Sequence, residues 1–176
     1  STRGHGGAIY FYAVGGGVDD FSITGSSIED ASAYYAGGAM YVRSADDMVI
    51  DETSFSSNAA NSSGSSYDGG ALYLYSTTAT TVTNSTFCGN EACGGGAVYA
   101  YNTSSGTDVW TNNIFVENTA SWDGGGAVWF HTNYNTEFIN NSVVGNEATR
   151  YGGAVRFSTT YATFFNNVVA YTTDGD

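Results

Sequence analysis

Proline and lysine are absent from this 176-residue chain, and arginine occurs only at Arg3, Arg43, Arg150 and Arg156. Against seventeen Asp and Glu this leaves a formal charge of -13. A nucleic-acid partner is excluded on that ground, because phosphate backbones are held by clustered Lys and Arg and these arginines stand singly. Long apolar runs are missing too, and nothing approaches the roughly 20 consecutive residues of a membrane-crossing helix. Cysteine is limited to Cys88 and Cys93, which leaves neither a Cys-x-x-Cys redox pair nor a four-ligand zinc set. Their separation across a glycine-containing turn predicts a small disulfide staple, with two separate thiols as the alternative.

What is present predicts a folded domain. Hydrophobic residues make up 41% of the chain and aromatics 15%, too rich for a disordered acidic tail. One domain over residues 1–176 is expected. The chain starts without Met or a signal-like segment and reads as a mature or excised piece. Its acidic, lysine-free, Ser/Thr/Asn-rich character predicts an extracellular or cell-surface location.

A repeat organises the sequence, and a period of 20 to 50 residues signals a solenoid or array. Gly-Gly-Ala followed by an aliphatic residue occurs six times, starting at Gly6, Gly37, Gly69, Gly95, Gly125 and Gly152, at intervals of 26 to 32 residues. A second block follows each, centred on Ile28, Phe55, Phe87, Phe115, Val143 and Val169. Between blocks lie short segments with period-two alternation of apolar residues, rich in Val, Ile, Tyr, Phe and Thr, which read as strands. A second strand is expected around Ile23, Ile50, Val82, Trp110, Phe138 and Phe164, making two or three strands per repeat. Such a unit cannot bury its apolar face alone, so the units must stack. The fold expected is all-β, a single-stranded parallel β-helix of about five to six coils. The absence of proline fits, since interior strands donate hydrogen bonds to their neighbours.

The pairing of Gly-Gly-Ala-(Ile/Leu/Val) with Phe-x-x-Asn, complete at Phe55 to Asn58, Phe87 to Asn90 and Phe115 to Asn118, resembles the repeats of chlamydial polymorphic outer membrane proteins and similar secreted β-helical proteins. The resemblance spans essentially the whole chain, with atypical blocks at Ile28 and Val169. It implies a right-handed helix, a surface or passenger domain used in adhesion or as a scaffold, and no enzyme activity.

Two asparagine columns are expected to form ladders from coil to coil. One comprises Asn58, Asn90, Asn118 and Asn146, and the other Asn84, Asn112, Asn140 and Asn166. Sequons occur at Asn61, Asn84, Asn102 and Asn140, and the ladder assignment leaves Asn61 and Asn102 as the accessible glycosylation sites.

With the aliphatic positions turned inward, Tyr10, Tyr41, Tyr73, Tyr99, Trp129 and Arg156 turn outward, beside Tyr12, Arg43, Tyr75, Tyr101 and His131. A contiguous exposed aromatic face marks a contact surface for protein or glycan, and a ladder of stacked rings is its structural alternative. The acid pairs Asp19-Asp20, Asp46-Asp47 and Asp51-Glu52, with Arg43 expected nearby, suit solvated turns, calcium or general acid/base chemistry. No cofactor is otherwise expected, and His5 and His131 lack a nucleophilic constellation. The leading functional expectation is a non-enzymatic extracellular structural module. An adhesin or glycan-binding module follows, and then a polysaccharide lyase or hydrolase. The interval from Val169 across the tail and head to Gly6 matches the other turns, so coil pairing is expected to continue past both ends. The partner there is a longer array or a stacked copy, with Asp174 and Asp176 approaching Arg3.

Overall fold

A computed structural model describes residues 4–13, 20–61, 68–102, 106–158 and 160–174. The chain winds as a parallel β-solenoid with four six-stranded sheets, and no helix occurs among the described residues. The first sheet stacks Ile9–Tyr12, Met40–Arg43, Leu72–Tyr75, Val98–Tyr101, Val128–His131 and Val155–Ser158 in that order. Asp20–Thr24, Asp46–Asp51, Thr81–Thr83, Asp108–Thr111, Thr136–Ile139 and Ala162–Phe165 form the second. The third is centred on Ile28, Phe55, Phe87, Phe115, Val143 and Val169.

The fourth sheet consists of two-residue strands such as Glu91–Ala92 and Thr119–Ala120. A coil therefore carries four strands, one more than period-two reading finds. Two residues are too short for an alternation signal, and only the recurring alanine marks the site. Ala92 and Ala120 point inward and are buried.

The Gly-Gly-Ala motif has a separate reason at each position. Gly95 sits at φ +62°, in the left-handed region that side chains disfavour. A Cβ on Gly96 would collide with the carbonyl oxygen of Gly126 one coil on and lie 2.7 Å from backbone atoms of Thr119. Ala97 then turns into the core.

Inward residues repeat in register, so like side chains meet between coils. Phe87 stacks on Phe55 at 5.0 Å and on Phe115 at 4.8 Å, each pair within 8° of parallel. Burial and offset stacking act together here, the stacking adding about 0.5 to 1.5 kcal/mol per pair beyond area.

Among the described residues the interior is closed in the middle and open at both ends. Phe138 and Val143 are fully buried, whereas their register partners in the last coil, Phe164 and Val169, are 47% and 44% exposed. At the other end Ile9, Phe11, Phe21, Ile23 and Ile28 are half-buried.

Candidate functional site

Polar residues hold two of the corners by one rule. Three residues after an inward strand residue, another polar side chain turns inward. Asn58, Asn90, Asn118 and Asn146 are buried in this way. The Asn90 side chain accepts from the Asn58 backbone N–H at 3.0 Å and donates to the Phe55 carbonyl at 3.0 Å. Asn118 and Asn146 repeat both bonds one and two coils on.

The second ladder lies one residue later than expected. Asn84, Asn112, Asn140 and Asn166 are exposed, with φ between 50° and 60°. Asparagine is placed there because it tolerates the left-handed conformation. The inward residues are Thr53, Ser85, Asn113, Asn141 and Asn167, linked coil to coil from backbone N–H to side-chain oxygen. Translating the Phe-x-x-Asn interval onto the preceding strand, from Trp110 to Asn113 or Phe138 to Asn141, would have found them.

The sequon expectation changes with it. Asn84 and Asn140 project from turns rather than lying in a buried ladder, Asn84 donating to Asp51 at 2.9 Å and Asn140 accepting from Asn166 at 2.6 Å. Asn61 is exposed, and half-buried Asn102 donates to Ser76 at 3.2 Å.

No disulfide joins Cys88 to Cys93. Cys88 ends the strand Thr86–Cys88 and Cys93 follows the strand Glu91–Ala92, with the corner at Gly89 and Asn90 between them, and both are half-buried. A disulfide needs converging Cβ atoms, and spacing along the chain does not report that.

The outer face of the first sheet carries both expected aromatic columns, but not as a flat exposed patch. Tyr41, Tyr99 and Trp129 are buried, and the exposed rings are Tyr10 and Tyr12 at one end. Tyr10, Tyr41 and Tyr73 stack at 5.2 and 5.0 Å, within 8° of parallel. Tyr99 follows Tyr73 at 5.4 Å, and Trp129 meets Tyr99 edge-on. Arg156 ends this column, 3.9 Å from the Trp129 ring centre and paired with Asp123 at 2.6 Å. Stacking along the axis hides ring faces and leaves edges and hydroxyls outward, which a sequence pattern cannot reveal.

The second column runs Tyr12, Arg43, Tyr75, Tyr101, His131. A groove of about 220 Å³ lies between the columns, lined by Tyr73, Tyr99, Tyr101 and His131. The Tyr99 hydroxyl and His131 Nδ1 are 2.6 Å apart. Burial, with Arg156 contributing, lowers the His131 pKa. Burial also raises the pKa of the Tyr41 and Tyr73 hydroxyls above the usual tyrosine range.

Among the described acids Asp20 and Asp46 are register partners on neighbouring strands, and no larger cluster forms. Asp46 accepts from Thr78 at 2.7 Å, and Asp51 accepts from Thr83 at 2.6 Å, the bond that chiefly lowers its pKa. Arg43 stands among tyrosines rather than beside them. Among the described residues no group of three His, Cys, Asp or Glu could hold a metal. Arg3, Asp19 and Asp176 lie outside the described residues.

Residues 84–101 match the model of the Chlamydia polymorphic membrane protein repeat. That segment runs from the turn at Asn84 through Phe87, Asn90 and Gly95-Gly96 to Tyr101, and with the solenoid it fits a repeat family of this type. No curated protein matches the chain, and no solved structure does.

Proposed function

We propose that this chain is a non-enzymatic structural module of an extracellular or cell-surface protein, a stretch of rod completed at each end by a further coil of the same geometry. The observation that carries the reading is the open interior. Phe164 and Val169 border a hollow of about 460 Å³ with Ala154, Val155 and Phe157, in positions that every inner coil covers with the next. Apolar area left in water in this way is unfavourable by roughly 25 cal/mol per Å², and unpaired strand edges invite strand addition.

The ladders give the contact a direction. Each inward side chain serves the coil before it: the Asn113 oxygen accepts from the Ser85 backbone N–H, and the Ser85 hydroxyl accepts from that of Thr53. The last coil therefore needs a coil in the same orientation, carrying a polar side chain at the Ser26 position. The match to a membrane-protein repeat and the acidic, lysine-free composition support a surface location.

Two measurements test this, one for each source of the next coil. Sedimentation of the purified chain should show end-to-end species that Phe164→Glu with Val169→Glu abolishes. A tandem fusion of two copies should melt in one transition, above the single copy. A single copy that stays monomeric, together with a tandem that melts as two independent units, overturns the proposal.

A further inference from the structure

We propose that the groove on the outer face of the first sheet binds a carboxylated oligosaccharide lying along the rod, with a sugar carboxylate seated on Arg43. This is independent of how the ends of the rod are completed.

The argument begins with the rings. Tyr10, Tyr41 and Tyr73 stack face to face along the axis and so turn their edges outward, the electropositive part of an aromatic quadrupole, while the groove beyond them is lined by the tilted rings of Tyr99, Tyr101 and His131 with their polar groups. Sugar C–H groups seek ring faces, whereas oxygen-rich and anionic groups suit edges and O–H donors. Tyrosine hydroxyls are protonated at neutral pH and serve as donors.

The charge comes from Arg43. Its guanidinium carbon lies 4.9 Å from the ring centre of Tyr12 on one side and 4.9 Å from that of Tyr75 on the other. Among the described residues the ion pair formed is that of Arg156 with Asp123, so Arg43 has no carboxylate. Its Nε is buried without a hydrogen-bond partner, and the guanidinium hydrogen-bonds the Tyr41 side chain, so a ligand would meet the remaining Nη donors. Tyr75 lies within 7° of Tyr73, so its plane crosses the rod axis. The guanidinium edge between the Tyr12 and Tyr75 rings thus suits a planar group, and a carboxylate meets a guanidinium through two parallel bonds.

A sugar chain suits this surface better than a peptide. The face of the sheet has no free backbone donors or acceptors to pair with a peptide, since its strands bond to one another. From Arg43 the column steps to Tyr75, Tyr101 and His131, one coil of about 4.8 Å at a time, comparable to the length of one sugar unit in an extended oligosaccharide. The Tyr99 and His131 pair places hydrogen-bonding groups in the groove two to three coils from the cation. The net charge of -13 opposes any polyanion at long range, but at physiological salt that field is screened beyond about 8 Å, and Arg43 governs a short ligand.

Calorimetric titration of the intact chain at physiological salt tests the assignment, with a galacturonic-acid hexasaccharide as probe. The controls are a neutral galactose hexasaccharide, a sulfated hexasaccharide and hexaglutamate. The galacturonate probe should bind and the neutral one should not. Arg43→Gln should weaken binding about tenfold, as loss of a charge-assisted contact does. Arg43→Lys keeps the cation within the stack but loses the planar fork, and should also bind more weakly than the parent. Tyr101→Ala should weaken binding without changing the preference for charge. The proposal is overturned by no binding at millimolar probe, by equal binding of the neutral sugar, or by folded Arg43 variants that bind like the parent. Hexaglutamate binding as tightly would assign the site to acidic peptides, and a tighter sulfated probe would refute the carboxylate fit.

Discussion

The carboxamide oxygen of Asn118 accepts two hydrogen bonds from Asn90, one from its backbone N–H at 3.0 Å and one from its Nδ2 at 2.9 Å. The Asn118 Nδ2 donates in turn to the Phe87 carbonyl at 3.0 Å. One side chain thus satisfies three buried groups of the preceding coil. Asn118→Leu strands all three, and at about 1 to 3 kcal/mol for each unsatisfied group, less relaxation, it should destabilise the chain by about 3 to 5 kcal/mol in urea unfolding.

Asn112 and Asn113 are adjacent and alike in composition, but only Asn113 is buried. Its side chain accepts from the Ser85 N–H and donates to the Val82 carbonyl at 2.9 Å. Asn113→Leu should therefore cost about 2 to 4 kcal/mol. Asn112→Gly, at a left-handed turn that glycine accepts freely, should change the unfolding midpoint little. Similar losses for the two variants would contradict the displaced ladder.

Two glycines in one coil should respond differently to alanine. A Cβ at Gly96 meets backbone of two neighbouring strands, whereas one at Gly89 meets nothing within 4 Å and carries only the strain of φ +61°. Gly89→Ala should cost about 1 kcal/mol. Gly96→Ala should exceed that severalfold, because the coils must separate to admit the methyl group. Thermal melting of the two variants side by side provides the comparison.

The rod should lose stability on mild acidification. The His131 pKa is lowered chiefly by burial and then by Arg156, and that of His5 by burial. For each, the unfolded chain binds the proton more readily near the ordinary value of about 6.5, so stability is complete above that pH and falls as pH drops through it toward the folded value. Asp51, also lowered, acts in the same direction but only in the carboxylate range below. The melting temperature of the parent should fall between pH 7 and pH 5. It should fall less in a His5→Gln, His131→Gln variant, and an equal fall would exclude the histidines as the cause.

Much of this architecture is written into the order of residue types. The spacing of Gly-Gly-Ala and Phe-x-x-Asn sets the coil length, because each coil must present the same inward residue to its neighbours at one strand separation. Period-two alternation assigns the faces of the longer strands, since successive Cβ atoms in a strand point to opposite sides. The register of Ile50, Val82 and Trp110, or of Phe55, Phe87 and Phe115, follows from those two rules. Alternation fails at corners, where one left-handed residue shifts the parity. Asn112 and Asn113 are indistinguishable by type, and the backbone conformation at Asn112 alone decides which of them is buried.

What the tertiary structure decided is how outward side chains use the space between coils. Sequence places Tyr41, Tyr73 and Tyr99 on the outer face. Only the 4.8 Å class of strand spacing brings register neighbours into contact, stacking Tyr10, Tyr41 and Tyr73 face to face so that they cover one another's π-surfaces and setting Trp129 edge-on to Tyr99. The same spacing sets Arg43 between Tyr12 and Tyr75, without an ion pair to any described carboxylate, although its sequence neighbours include Asp46 and Asp47. Cys88 and Cys93 are near in sequence but lie on either side of a corner and are not joined. In each case the chain determines which residues share a coil, and the stacking of coils determines which of them meet.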